Sequence, residues 1–178
     1  MWKSFLALLF TSFLACLELV TASNCTGHSV NLEESQCNAF IEFYHATDGL
    51  NWDGNGYMCT DVDPCACGPL AYGITCNDKG TKITQIELGD SNLNGTIPES
   101  FSAFKNLNYL RLADNKLKGT AMPALDFAKI TSCFLLAQVG DNEFTCPWPE
   151  GVTKYCEKVD WEGNYYPIKD SDCHGKYN

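Results

Sequence analysis

Between positions 83 and 149 apolar residues recur on a fixed spacing, broken by the same few polar residues. One line runs Ile83, Ile86, Leu88, Ser91, Leu93, Gly95, Ile97, Pro98, Phe101, Phe104. A second runs Leu107, Leu110, Leu112, Asn115, Leu117, Gly119, then a displaced Met122-Pro123. A third runs Phe134, Ala137, Val139, Asn142, Phe144, Cys146, Trp148, Pro149. The first two lines stand 24 residues apart and the second and third 27, which puts three extra residues in the second unit. Self-similarity at this period marks stacked units, each too small to bury its own apolar face. Alternation within each unit predicts short parallel strands at 85–88, 109–112 and 136–139, leucines inward. The Asn at the fourth place turns the chain and pairs backbone groups through its amide; Ser91 offers a shorter hydroxyl there. Ile97-Pro98 predicts an extended return, because proline fixes φ and withholds a donor.

A stack of this kind exposes its apolar interior at both ends, and the flanking sequence supplies covers. Residues 31–44, NLEESQCNAFIEFY, predict a helix. Asn31 and Glu34 suit a capping box, Cys37, Phe40, Ile41 and Tyr44 share one face, and Gly49 suits its end. At the other end FTCPWPEG, 144–151, repeats the frame of LNGTIPES, 93–100, with Trp148 in the slot of Ile97. Trp148 is read as an apolar lid. Cys146 is read as a tether for a tail that holds Cys156, Cys173, Trp161, Tyr165 and Tyr166.

Through residues 83–119 the spacing, with its Gly-x-Ile-Pro, resembles the plant-type extracellular leucine-rich repeat, LxxLxLxxNxLxGxIPxxLxxLxx. Helix, Trp52 and GITC at 73–76 resemble the N-terminal cap of the same family. The resemblance implies an α/β solenoid of about three repeats, with a parallel concave sheet and disulfide-stapled caps. It implies a cap at 23–81, repeats at 82–145 and a second cap at 146–178. In that family the last cysteine of the first cap pairs with one a few residues before it, so Cys76 is expected to join Cys67 or Cys65.

The chain opens with one lysine and an apolar run from Phe5 to Leu17, then Val20-Thr21-Ala22, so residues 1–22 read as a secretory signal peptide with maturation at Ser23. The run is too short for a membrane span, and the polar C-terminus carries no lipid-anchor signal. Residues 1–22 contain Cys16, which leaves ten of the eleven cysteines: Cys25, Cys37, Cys59, Cys65, Cys67, Cys76, Cys133, Cys146, Cys156 and Cys173. An even set at this density reads as a closed disulfide framework in a secreted, extracellular protein. The Cys65, Cys67 and Cys76 spacings do not form two zinc knuckles. A net charge of −10 without a basic cluster argues against nucleic acid. Asn24 and Asn94 head glycosylation sequons.

Candidate chemistry is sparse. GDS at 89–91 resembles the nucleophile motif of GDS-type esterases, but it occupies the repeat's own turn positions. His174 lacks an aspartate three residues before it. Asn51, Asp53, Asn55 and Gly56 resemble half a calcium loop whose twelfth position is Val62 instead of Glu. No cofactor or metal site is expected. Side chains of outward parity would stack in columns across the concave strands. These are Gln85/Tyr109/Leu136, Glu87/Arg111/Gln138, Gly89/Ala113/Gly140 and Asp90/Asp114/Asp141. The first two are the candidate ligand-binding residues, with Glu87 and Arg111 an expected cross-strand ion pair. The small third column would let a ligand approach the backbone. The resemblance implies a non-catalytic recognition module for an extracellular protein, peptide or glycan. The alternatives are a structural matrix or wall component and, last, the esterase. The sequence sets no oligomeric state.

Overall fold

The computed structural model describes residues 24–68, 72–120, 125–137 and 141–175. The leader 1–22, Met122-Pro123, Gln138, Val139 and Gly140 lie outside the described residues. Helix α1 (Glu34–Ala46) precedes a hairpin of β1 (Gly73–Cys76) and β2 (Ile83–Glu87). The chain then alternates between two sheets. β3 (Asn94–Thr96), β5 (Lys116–Thr120) and β7 (Glu143–Thr145) stack in parallel in the smaller sheet. β4 (Tyr109–Arg111), β6 (Ser132–Ala137) and β8 (Glu157–Val159) extend β2 in the larger one, also in parallel. β9 (Tyr165–Pro167) closes the larger sheet antiparallel to β8, for the order β1-β2-β4-β6-β8-β9.

The core lies between the sheets. Ile83, Ile86 and Leu88, then Leu107, Leu110 and Leu112, point inward from the larger sheet, and Leu93, Leu117 and Phe144 from the smaller. Strands this short leave many backbone groups in the interior, and two buried asparagines take them up. Asn115 accepts from the amides of Ser91 (3.1 Å) and Leu93 (2.9 Å) and donates to the carbonyls of Leu88 (2.7 Å) and Leu112 (2.9 Å). Asn142 repeats the pattern, accepting from Leu117 N–H and donating to Leu112 and Leu135 carbonyls. Ser91 is buried, but its hydroxyl reaches only Gly89 O.

The third unit is threaded differently from the sequence expectation. Tyr109 pairs with Ser132 and Arg111 with Phe134, so the strand recurs after 23 residues, although Asn142 does follow Asn115 by 27. The extra length therefore falls between the strand and the asparagine of the third unit, not at the end of the second. Ile130, Cys133 and Leu135 occupy the inward places expected of Phe134, Ala137 and Val139.

At one end α1 packs its aromatic face on the first unit. Phe43 meets Phe101 at 4.9 Å and Trp52 at 5.5 Å. Cys37, Phe40 and Tyr44 are buried as expected, together with Phe43 and Gln36. Gln36 Oε1 accepts from Ile83 N–H at 2.8 Å and ties the helix to β2. The capping box does not form: Glu33 is the N-cap, without a side-chain bond, because its own N–H is pinned to Thr81 O. Nor does Gly49 end the helix. Asp48 takes the left-handed turn (φ 62°), and Thr47 Oγ1 donates to Phe43 O. Gly95 fits against the helix end: its φ is 138°, and a Cβ there would lie 2.0 Å from Ala46 O.

At the other end Trp148 is 9% exposed, 6.0 Å from the Phe144 ring, with its indole N–H donating to Lys169 O. The tail is fastened by Cys133–Cys156 and Cys146–Cys173. In the N-terminal segment the bridges are Cys25–Cys37, Cys59–Cys67 and Cys65–Cys76, so Cys65 is the partner of Cys76.

Two substitutions test this account. Asn115→Ala leaves several interior backbone groups unpaired and is expected to cost about 2–4 kcal/mol in chemical denaturation. An unchanged midpoint would show that water serves those groups equally well. Trp148→Ala is expected to cost about 3–5 kcal/mol, and a loss under about 1 kcal/mol would remove the lid.

Candidate concave-face site

The open face of the larger sheet carries side chains of outward parity from β2, β4 and β6. Gln85 stands exposed beside Tyr109, as expected, and Glu87 beside Arg111. The next strand differs from expectation. Leu136 is only 5% exposed and joins the core, because a register irregularity between Phe134 and Leu136 disturbs the strand's alternation. Ser132 and Phe134 take the places given to Leu136 and Gln138. The result is an aromatic row. The Phe134 ring lies 6.0 Å from Tyr109 and 4.8 Å from Tyr165, which reaches in from β9 and is 57% exposed. Phe134 escaped the sequence reading because it had been placed inward, and Tyr165 because strand pairing in the tail has no repeat signature.

Beside this row lies a charged cluster. Arg111 Nη1 is 3.6 Å from Glu87 Oε1, and its Nη2 is 3.9 Å from Asp114 Oδ2. The expected Glu87–Arg111 pair is thus present, but Glu87 is buried at 6% exposure. Burial pushes the Glu87 carboxyl above its usual range; the hydrogen-bonded Tyr109 hydroxyl and Arg111 oppose the shift. Burial and Glu87 together push the Tyr109 phenol up. Glu87 Oε1 and Arg111 Nε have no hydrogen-bond partner among the described residues. Gly89 does not serve ligand approach. The Arg111 side chain already fills that space, where a Cβ would lie 2.8 Å from Arg111 Nε.

At the strand ends Asp90 and Asp114 take left-handed turns, φ 51° and 61°. Asp141 accepts from Asp114 N–H at 3.0 Å and from Ala137 N–H. Burial raises its carboxyl to about 6, against the pull of those amides. A raised carboxyl is protonated more readily in the folded chain than in the unfolded one. Its contribution to stability therefore falls as pH rises from about 4 to about 6.

The remaining motifs are structural. Ser91 is buried, with its N–H on Asn115 Oδ1 and its hydroxyl on Gly89 O. His28 contacts Asp63, His45 contacts Asp61, and His174 bonds through its backbone to Phe144 and Cys146. In the half calcium loop Asn55 donates to Gly89 O and Asp53 N–H to Ser91 O, bracing the segment on the first unit. Among the described residues no three His, Cys, Asp or Glu side chains group closely enough to hold a metal ion. Nor is any helix among them long and apolar enough to cross a membrane. Both sequon asparagines, Asn24 and Asn94, are exposed.

No family model matches the chain. Over 88 residues it is 34% identical to the receptor protein kinase WSS1 of Oryza sativa subsp. japonica, a match covering 49% of this chain and 8% of that protein. The chain thus spans a small part of the curated relative it matches. The crystal structure of PEPR1-AtPEP1 superposes over 71% of this chain and 18% of that one, with a TM-score of 0.47 and 20% identity.

The site makes a spectroscopic prediction. The Asp141 carboxyl carbon should titrate in NMR with a midpoint of about 6, and a midpoint near 4, that of an ordinary aspartate, would show it to be solvated.

Proposed function

We propose that this chain is a non-catalytic ligand-binding module: a short leucine-rich-repeat solenoid at 82–145 between caps at 23–81 and 146–178. It is exported behind the leader 1–22 and works in an extracellular, oxidising setting. The concave strands are the binding face, and the ligand is an extracellular protein or peptide ahead of a glycan.

The observation that carries this reading is the aromatic row Tyr109–Phe134–Tyr165, half open to solvent beside Arg111 on rigid strands. Aromatic and arginine side chains dominate interface energetics, the aromatics because they bury large area for few lost rotamers and arginine because its planar fork offers several donors. Five disulfides among the described residues fit the oxidising setting. The match to a receptor protein kinase favours recognition over chemistry. Gln85 stands in this reading as a polar neighbour of the row. Asn94, exposed on β3, is the favoured glycan acceptor.

Capture from extracellular material tests the proposal. A species bound by the native chain should bind Tyr109→Ala or Phe134→Ala about ten- to hundredfold more weakly, a loss of about 1–3 kcal/mol. Thermal midpoints must show both variants folded. If both retain full affinity while changes in loop 53–66 abolish capture, the cysteine-rich segment is the binding surface and the strands are a spacer.

A further inference from the structure

The concave face is acidic as well as aromatic. Glu87, Asp90, Asp114 and Asp141 project from it or its turns, against Arg111. Arg111 is already shared between Glu87 and Asp114, so it offers little unpaired positive charge. Asp141 is occupied by two backbone amides. Asp90 is exposed and the Asp114 side chain is 40% exposed, and the two repel.

A second observation fixes the sign of the ligand. The Glu87 side chain is 8% exposed, and its Oε1 has no hydrogen-bond donor among the described residues. Its nearest cation is Arg111, 3.6 Å away and beyond hydrogen-bond distance. An anionic ligand would draw Arg111 outward and leave the buried Glu87 without its nearest cation, held only by the Tyr109 hydroxyl and the Gly89 amide. A cationic ligand leaves Arg111 in place, relieves the Asp90–Asp114 repulsion and adds a donor to an under-satisfied cluster. The chain's net charge of −10 steers the same ligands inward.

Resting on the reading of the strands as the binding face, we propose that the ligand is a basic peptide segment. An arginine or lysine seats over Asp90 and Asp114, and an apolar or aromatic side chain lies on Tyr109, Phe134 and Tyr165. The step from Tyr109 to Asp114 is five residues, at most about 17 Å at about 3.3 Å per residue. No more than about five residues of extended peptide are therefore needed to span it.

The test uses fluorescein-labelled hexapeptides with two phenylalanines at one end and two arginines at the other. One counterpart replaces the arginines by glutamates. Binding is read by anisotropy and by amide shifts of the native protein. The arginine peptide should bind on the order of tenfold tighter than the glutamate peptide and shift amides of 109–114 and 132–134. Asp90→Asn with Asp114→Asn should weaken it on the order of tenfold. The charge-matched control, Glu99→Gln with Glu150→Gln, should change it less than about twofold. Equal weakening by the control would reduce the effect to long-range attraction and overturn the seat. Tighter binding of the glutamate peptide on the same amides would overturn the cationic ligand and leave the face standing. Shifts confined to other surfaces would overturn the face itself.

Discussion

The interior between the two sheets depends on one side chain type, the buried asparagine, which at Asn115 and Asn142 pairs backbone groups the short strands cannot. A three-residue strand forms few ladder bonds, and the turn after it points amides and carbonyls into an apolar interior. Asn115 meets groups from two successive units, Ser91 and Leu93 from one and Leu112 from its own. Asn142 does the same one unit on. The amide suits this role because it donates and accepts from one planar group, which a serine hydroxyl does only in part. With those groups satisfied, leucine, isoleucine and phenylalanine close the interior at little polar cost.

The ends then become the weak points, and each is closed with aromatic area and disulfides. Phe43 and Trp52 cover the first unit. Trp148 covers the last, while His174 adds backbone bonds to the edge of β7. Cys133–Cys156 joins the last full strand to the segment that becomes β8, so the tail extends the sheet as well as covering it. A small core gains from such cross-links because they restrict the unfolded chain.

The proposed binding face follows from the same construction. Inward leucines oblige alternate residues to face outward, so each strand presents one or two side chains at fixed spacing. Gly89 leaves room for Arg111 to lie along the sheet, and that placement half-neutralises Glu87 and holds the charge beside the aromatic row. Ser91 and His174, which the GDS resemblance would need together, are engaged in bonds of their own, Ser91 with Gly89 O and His174 through its backbone with Phe144 and Cys146.

The sequence alone determined the repeat, its strands at β2 and β4, the inward leucines, the asparagine sites, the ion pair and the lid at Trp148. These rest on periodicity and on local chemistry that any stacked arrangement must satisfy. Only the tertiary structure decided where the third strand lies. Four more residues separate Cys133 from Asn142 than separate Leu110 from Asn115, so the asparagines stand 27 apart and the strands 23, and Phe134, not Gln138, stands beside Arg111. A shift of four preserves the alternation, so parity gave no warning. The partner of Cys76, the tie from Gln36 to Ile83 and the arrival of Tyr165 were likewise decided in three dimensions. Each joins residues whose separation in sequence carries no period, and only packing sets which of several compatible partners is near enough to meet.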